Sequence, residues 1–288
     1  MRRVSPRPAP AVPISAPHAM PELPARPDLT RLAAMLTRLK LTAIRDQLDP
    51  LLAEAARREL TLAETVALLC EREIARKDER RIEMVLGLAR FPIVRDLDGY
   101  DFGAQPAVDR QQVRELATGR FVANGEAVLI LGPPSVGKTH LSVGIGRAVI
   151  TAGYTVLFTT ASAPIAQLVK AHAEGRLEER LAHFAKPKLL IIDELGYLPL
   201  EPQAAHLLFA LVSRRYERGG SMLVTSNRSV GEWGLVLNDQ VVATAILDQL
   251  LHHSHVLTIR GDSYRLREKR RSGLLRRITD ADPEVGTA

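Results

Sequence analysis

The sequence has little cysteine and no long apolar segment. Cys70 is the only cysteine among 288 residues, so an intramolecular disulfide cannot form, as is typical of proteins in a reducing cytosol. No uninterrupted apolar run reaches the roughly 18 residues that a transmembrane helix needs. These absences predict a cytoplasmic protein without a membrane span.

Acidic residues are missing from the start of the chain. The first one is Glu22, and residues 1–27 contain eight prolines. Proline removes backbone donors and blocks helices, and the few large apolar side chains there cannot form a core. Residues 1–27 are therefore predicted to be a disordered, proline-rich tail or an extension added by an upstream start codon.

The composition of the whole chain is ordinary for a globular protein, but its charge is not balanced. Hydrophobic residues make up 46% and charged residues 25%, which suffices for a sizeable core. The formal charge of +6 and the pI near 9.7 indicate a polyanionic partner, either nucleic acid or an acidic membrane surface.

Residues 132–139 read Gly-Pro-Pro-Ser-Val-Gly-Lys-Thr and match the pattern of a phosphate-binding loop. The loop follows the apolar run 127–131 and precedes a predicted helix over 140–150, which is the required order. Lys138 is predicted to reach the β- and γ-phosphates, and the Thr139 hydroxyl to hold Mg²⁺. The predicted nucleotide-binding residues are Gly132, Pro133, Pro134, Ser135, Val136, Gly137, Lys138, Thr139 and His140.

Strands and helices alternate after this loop. Strands are predicted at 154–160, 188–192, 221–226 and 255–260, and helices at 163–185 with a break near Gly175, at 202–218 and at 241–251. This alternation predicts an α/β fold with a five-stranded parallel sheet, whose ligands bind at the carboxyl ends of the strands.

Two carboxylates, Asp193 and Glu194, end the apolar strand at 188–192. Asp193 is predicted to act on Mg²⁺ directly or through water, and Glu194 to polarise the attacking water as general base. Nucleoside kinases and small G proteins generally activate their nucleophile by other means. The pair therefore favours an ATPase with an additional strand, 221–226, between the two motif strands.

Three further polar residues are candidate catalytic groups. Asn227, which follows strand 221–226, either holds the attacking water near the γ-phosphate or forms a turn. Arg214 and Arg215 end the preceding helix and are either solvated or supply a finger to a neighbouring subunit.

The region before the loop is predicted to be helical. Leucines at 29, 32, 36 and 39 indicate an amphipathic helix that continues toward Asp49-Pro50. A second helix begins with the capping box at Thr61–Glu64 and runs to about Leu88. The charged stretch 71–81 is interpreted as a solvated face with pairs such as Glu73 with Lys77, or as a contact surface for DNA or protein. Aromatic residues of the following linker are expected to anchor it by packing, with base stacking as the alternative.

The strongest nucleic-acid signal lies near the end of the chain. Residues 260–277 hold eight basic and two acidic residues, which suits contact with a phosphate backbone or serves solubility only. The candidate DNA-contacting residues are Arg265, Arg267, Lys269, Arg270 and Arg271.

Several segments together resemble the IstB family, ATP-binding helper proteins encoded beside the transposase of bacterial insertion sequences and similar to the helicase loader DnaC. The resemblance covers roughly residues 29–270, and its segments are 121–141, 190–200, 215–217, 225–227, 232–234 and 261–265. It implies an AAA+ P-loop ATPase that uses ATP and Mg²⁺, binds duplex DNA with little sequence preference, forms ATP-dependent homo-oligomers and recruits a cognate transposase.

The resemblance also assigns roles to residues and shows two departures. It implies the roles predicted above for Lys138, Thr139, Asp193, Glu194 and Asn227 in binding phosphate and Mg²⁺ and in activating water. It also places near Arg215 the arginine that a subunit supplies to its neighbour's active site. Ser135 stands where the family usually has glycine, a mild change because a small residue fits. Gln249 stands where an arginine is typical, so oligomerisation or turnover is expected to be weakened if that arginine is a second sensor or an intersubunit contact.

The sequence thus predicts an ATP-dependent DNA-binding ATPase that assists transposition and has no membrane partner. Its predicted domains are the tail 1–27, a small helical domain 28–95, the AAA+ domain 96–270 and a basic, flexible tail 271–288. Alternatives are a DnaC-like helicase loader in DNA replication, a phosphotransferase acting on a small substrate, and a DNA-binding scaffold that binds ATP without turnover.

Overall fold

A computed structural model describes residues 29–197 and 199–261. The predicted tails 1–27 and 271–288 and the candidate DNA contacts Arg265, Arg267, Lys269, Arg270 and Arg271 lie outside the described residues. The chain divides into two compact units, Met1–Asp78 and Glu79–Ala288. The domain boundaries predicted from the sequence, near residues 95 and 270, stay predictions.

The described part of the first unit consists of three short helices and most of a long one. They are α1 (Leu29–Arg38), α2 (Thr42–Asp46), α3 (Leu48–Arg57) and the first part of α4 (Leu62–Leu88). The prediction of one helix from residue 29 toward Pro50 is wrong, because Lys40 has a left-handed backbone (φ 58°). The Leu41 N–H then donates to Leu36 O at 2.9 Å, a bond pattern that closes a helix end.

Glu73 is buried rather than solvated. Its Oε2 accepts hydrogen bonds from the backbone N–H groups of Ala43 (2.8 Å) and Ile44 (3.2 Å) at the start of α2, while Lys77 Nζ lies 3.7 Å from its Oε1. The interpretation of Glu73 as part of a solvated face is therefore wrong. This carboxylate satisfies N–H groups that the first turn of a helix leaves without intrahelical partners.

Replacing Glu73 with alanine is expected to destabilise the first unit by about 1–3 kcal/mol, because two buried N–H groups lose their acceptor. Hydrogen exchange at the amides of Ala43 and Ile44 should accelerate. The matched control is Glu71→Ala, at an exposed position of the same helix. Equal exchange at these two amides in both variants would contradict the capping role.

The second unit is an α/β layer structure around a parallel sheet. Its elements after α4 are α5 (Arg110–Ala117), α6 (Arg120–Asn124), β1 (Ala127–Leu131), α7 (Lys138–Thr151), β2 (Val156–Thr160), α8 (Ser162–Ala173), α9 (Leu177–Ala185), β3 (Leu189–Leu195), α10 (Pro202–Glu217), β4 (Ser221–Ser226), α11 (Trp233–Leu237), α12 (Gln240–Leu251) and β5 (Ser254–Thr258). The sequence predicts all of the strands to within a few residues and misses α6 and α11, each of which is only five residues long.

The strand order is β2-β3-β4-β1-β5, and all neighbours are parallel. This confirms the predicted five-stranded sheet and the additional strand β4 between β3 and β1. The strands are continuous apolar runs because both faces of the sheet are covered. In β1, Leu129 packs in the core with α8–α12, whereas Val128 and Ile130 pack in the core with α5–α7.

Parallel strands bring the ends of β1, β3 and β4 to one edge of the sheet, where a ligand binds in such folds. The predicted loop after β1, the carboxylates of β3 and Asn227 after β4 all lie at this edge. Within residues 29–197 and 199–261, none of the helices combines the length and apolar character needed to cross a bilayer.

Candidate nucleotide-binding site

Residues 132–137 form a tight loop between β1 and α7, and both of its glycines are sterically required. A Cβ atom on Gly132 would lie 2.5 Å from Ile259 O. A Cβ atom on Gly137, whose φ is +100°, would lie 2.9 Å from the Tyr100 ring. The loop is fixed to the sheet by the Gly132 N–H, which donates to Ser226 O at 3.1 Å. Neighbouring segments therefore hold the phosphate-binding loop closely.

Lys138 is the first residue of α7 and lies across the loop. Its Nζ donates to the backbone oxygens of Gly132 (2.7 Å) and Pro133 (2.8 Å). Burial lowers the pKa of Lys138 from its usual value, and the nearby negative charges of Asp193 and Glu194 act in the opposite direction. These contacts hold a cation directly over the loop backbone.

The predicted metal ligands lie side by side. The Thr139 hydroxyl donates to Asp193 Oδ2 at 2.8 Å, which joins the start of α7 to β3. The other carboxylate oxygen, Oδ1, accepts from the Thr225 hydroxyl at 2.5 Å. Sequence reasoning missed Thr225, although a threonine in the otherwise apolar run 222–225 was a usable signal. Thr225 orients the carboxylate from β4.

Glu194 is turned away from Asp193 by an irregularity of the strand. The register between β3 and β4 shifts between Ile192 and Leu195, and Glu194 has a φ of 63°. Its N–H donates to the Thr225 hydroxyl at 3.0 Å. The side chain is exposed and lines the cleft beside the loop. Adjacent carboxylates thus occupy different environments, one buried at the hydroxyl of Thr139 and one open to solvent.

Asn227 follows β4 and lies beside the start of the loop, near Gly132 and Pro133. Its Oδ1 atom is buried and has no hydrogen-bond partner among the described residues. A buried amide oxygen without a partner is costly and is typical of a group that meets a ligand or water.

The segment between α4 and α5 forms the other wall of the site. A cleft of about 660 Å³ runs between the loop and this segment, a size typical of ligand pockets. Tyr100 packs edge-on against both Phe102 (4.9 Å) and His140 (5.3 Å between ring centroids). Burial raises the pKa of Tyr100 to about 12. These contacts support packing as the role of the linker aromatics, and His140 contributes to the same wall by donating from Nε2 to Asp96 O at 2.9 Å.

Comparison with known proteins agrees with this geometry. A family model described as IstB-like ATP binding protein matches residues 34–272, which is most of the chain. The chain belongs to the IstB family. Two relatives of this IstB-like protein are named for ATP binding and for insertion sequences. One, for IS5376 of Geobacillus stearothermophilus, is 45% identical over 233 residues, covering 81% of this chain and 92% of the relative. The other, for IS21 of Pseudomonas aeruginosa, is 44% identical over 248 residues, covering 86% of this chain and 93% of the relative.

Solved structures show the same fold. AMPPCP-bound DnaA from Aquifex aeolicus aligns with a TM-score of 0.51 at 18% identity, covering 66% of this chain and 57% of the DnaA chain. At this identity the likeness concerns the fold alone. It agrees with the predicted α/β fold around a parallel sheet.

Arg215 of this IstB-like protein is an interior residue, which corrects its interpretation as a finger. The side chain is 1% exposed and donates to the backbone oxygens of Phe184, Pro187, Lys188 and Ser221 at 2.6–3.0 Å. A guanidinium group held by four carbonyl oxygens cannot reach a neighbouring subunit. Arg214 is partly exposed and pairs with Glu178 at 2.5 Å, so its catalytic role stays a prediction.

The two departures from the family pattern lie in different environments. Gln249 accepts a hydrogen bond from the Ser213 hydroxyl at 3.0 Å, close to the ends of α10 and α12 that precede β4 and β5. It therefore lies at the opposite edge of the sheet from the loop and cannot act as a second sensor for its own nucleotide.

Ser135 has a φ of 62°, a left-handed backbone conformation that glycine adopts readily and that costs other residues about 1 kcal/mol. This backbone conformation explains why the family usually has glycine at position 135. The small size of serine is therefore not enough to make the substitution a mild one.

Proposed function

We propose that this IstB-like protein is an ATP-dependent, DNA-binding ATPase that assists a transposase. The observation that carries the proposal is the contact between the Thr139 hydroxyl and the Asp193 carboxylate at 2.8 Å, beside the phosphate-binding loop and the exposed Glu194. A protein that only binds ATP has no need of a second, solvent-facing carboxylate at this place. The names of the relatives connect such proteins with insertion sequences.

The residues of the site fit a magnesium nucleotide. Mg²⁺ prefers oxygen ligands, and the Thr139 hydroxyl and Asp193 carboxylate would hold it together with phosphate oxygens. Lys138 would bind the β- and γ-phosphates, for which it would exchange its two backbone acceptors. The buried, unpartnered Oδ1 of Asn227 would accept a hydrogen bond from the attacking water, and Glu194 would take the proton from that water.

Hydrolysis is proposed to act as a switch on DNA. In this proposal the ATP-bound form assembles into homo-oligomers on duplex DNA and captures the cognate transposase, and hydrolysis releases the assembly. Arg214 is the remaining candidate at the end of α10 for a charge supplied to a neighbouring site, because Arg215 is buried. The basic residues from Arg265 to Arg271 are the proposed contacts to the phosphate backbone.

The test is retention of the protein and of the proposed transposase partner on immobilised duplex DNA, in ATP and in ADP. Retention in ATP is expected to exceed that in ADP by about tenfold, a typical size for coupling between two sites. Lys138→Ala should abolish this difference, since the variant lacks the charge that binds the β- and γ-phosphates. Equal retention of the wild-type protein in both nucleotides would refute the switch.

A further inference from the structure

Gln105 has a buried polar side chain to which the proposed ATP mechanism gives no role. It is 2% exposed, and neither its Oε1 nor its Nε2 atom has a hydrogen-bond partner among the described residues. Burying a carboxamide with both ends unpaired is costly, since each polar atom loses its hydrogen bonds to water and gains none in the protein. A ligand that forms hydrogen bonds with the carboxamide would explain why it is buried without a protein partner.

The backbone fixes where this carboxamide lies. The Gln105 N–H donates to Phe102 O at 3.2 Å, and the Gln105 carbonyl accepts from the Val108 N–H at 3.0 Å, so two consecutive turns hold the residue. Gln105 lines the same cleft as the phosphate-binding loop, together with Ile93 and Tyr100. An unpartnered amide is therefore held in the wall of the nucleotide cleft.

The sheet order places Gln105 on the side of the loop away from Glu194. A Cβ atom on Gly261, three residues after β5, would lie 3.7 Å from Gln105 Oε1. β5 neighbours β1 on one side, whereas β3, which carries Glu194, lies on the other side beyond β4. ATP is an elongated molecule with its base at one end and its γ-phosphate at the other. With the γ-phosphate toward Glu194, the base extends toward Gln105.

We propose that Gln105 selects adenine by accepting a hydrogen bond from its 6-amino group and donating one to a neighbouring ring nitrogen. A carboxamide offers one acceptor and two donors, which suits the adjacent N6 amino group and N7 of adenine. On the same edge guanine presents two acceptors, O6 and N7, so one end of the amide would meet a repulsive partner. Gln105 is thus a specificity residue, and this inference rests on the proposed use of ATP.

The test compares the binding of ATP with that of purine riboside triphosphate, which lacks only the 6-amino group. Dissociation constants are measured by calorimetry with Mg²⁺ for the wild-type protein, for Gln105→Met and for Gln111→Met, the same substitution at an exposed position. The wild-type protein and Gln111→Met should bind ATP on the order of tenfold more tightly than the analogue. In Gln105→Met, ATP binding should weaken to the level of the analogue.

The possible outcomes separate this inference from the proposed function. If the wild-type protein binds ATP but does not distinguish it from the analogue, or if Gln105→Met distinguishes the two as well as the wild type does, Gln105 does not read the base and the ATP switch is unaffected. If the wild-type protein binds neither triphosphate, the proposed function fails with the inference. Should Gln105→Met not fold, the wild-type ratio alone still decides, since a ratio near one overturns the assignment.

Discussion

Replacing Glu194 with glutamine is expected to lower ATP turnover by roughly 100-fold or more while ATP binding is retained. The side chain is exposed at the cleft, so the substitution removes the base without disturbing the core. Asp193 keeps its hydrogen bonds from Thr139 and Thr225, and Lys138 keeps its place over the loop. Steady-state phosphate release and nucleotide affinity, measured on the same preparation, check both parts of the expectation.

The consequence for DNA distinguishes a switch from a passive ATP-binding scaffold. If hydrolysis releases the protein from DNA, Glu194→Gln should remain on duplex DNA longer than the wild type in ATP. The control is Glu217→Gln, the same substitution at an exposed position at the end of α10. An unchanged turnover in Glu194→Gln would remove Glu194 from the mechanism, and an unchanged lifetime on DNA would show that hydrolysis is not the switch.

The parts of the fold that the sequence predicts well are those with local causes. Residues 127–131 and 221–226 are buried on both faces of the sheet, and a buried parallel strand is recognisable as a short apolar run. The loop 132–139 is recognisable because phosphate binding fixes the spacing of its glycines, its lysine and its threonine. Sheet order follows less directly, but the Asp193-Glu194 pair correctly predicts the additional strand between the two motif strands.

The parts that the sequence does not reveal depend on partners distant in the chain. Glu73 has the sequence context of a solvated helix face, yet its carboxylate meets N–H groups about 30 residues earlier. Arg215 has the context of a solvated helix end, yet three of its acceptors precede it by 27–31 residues. No local pattern marks a charged residue for burial, because the fold provides the acceptors that make burial tolerable. Gln105 also carries no local signal, because its burial depends on the fold around it and not on its neighbours in the sequence.

Replacing Arg215 with methionine is expected to destabilise the second unit by about 3–5 kcal/mol, because several backbone carbonyl oxygens lose their donor and each buried one costs about 1–3 kcal/mol. The guanidinium group satisfies the carbonyl oxygens of Phe184, Pro187, Lys188 and Ser221, and methionine offers them no donor. Burial lowers the pKa of Arg215 to about 10, which still leaves the group charged at neutral pH. In thermal unfolding the midpoint should fall by roughly 10 °C.

The adjacent residue provides the matched control for this prediction. Arg214→Met removes only a surface ion pair with Glu178, whose side chain is 76% exposed, and such pairs contribute about 0–1 kcal/mol. Its midpoint should therefore stay close to that of the wild type, and a loss of turnover in this folded variant would identify Arg214 as a residue that acts on a neighbouring subunit. An Arg215→Met variant that unfolds at the wild-type temperature but loses turnover would overturn the interior role, because a structural arginine cannot be removed without a loss of stability.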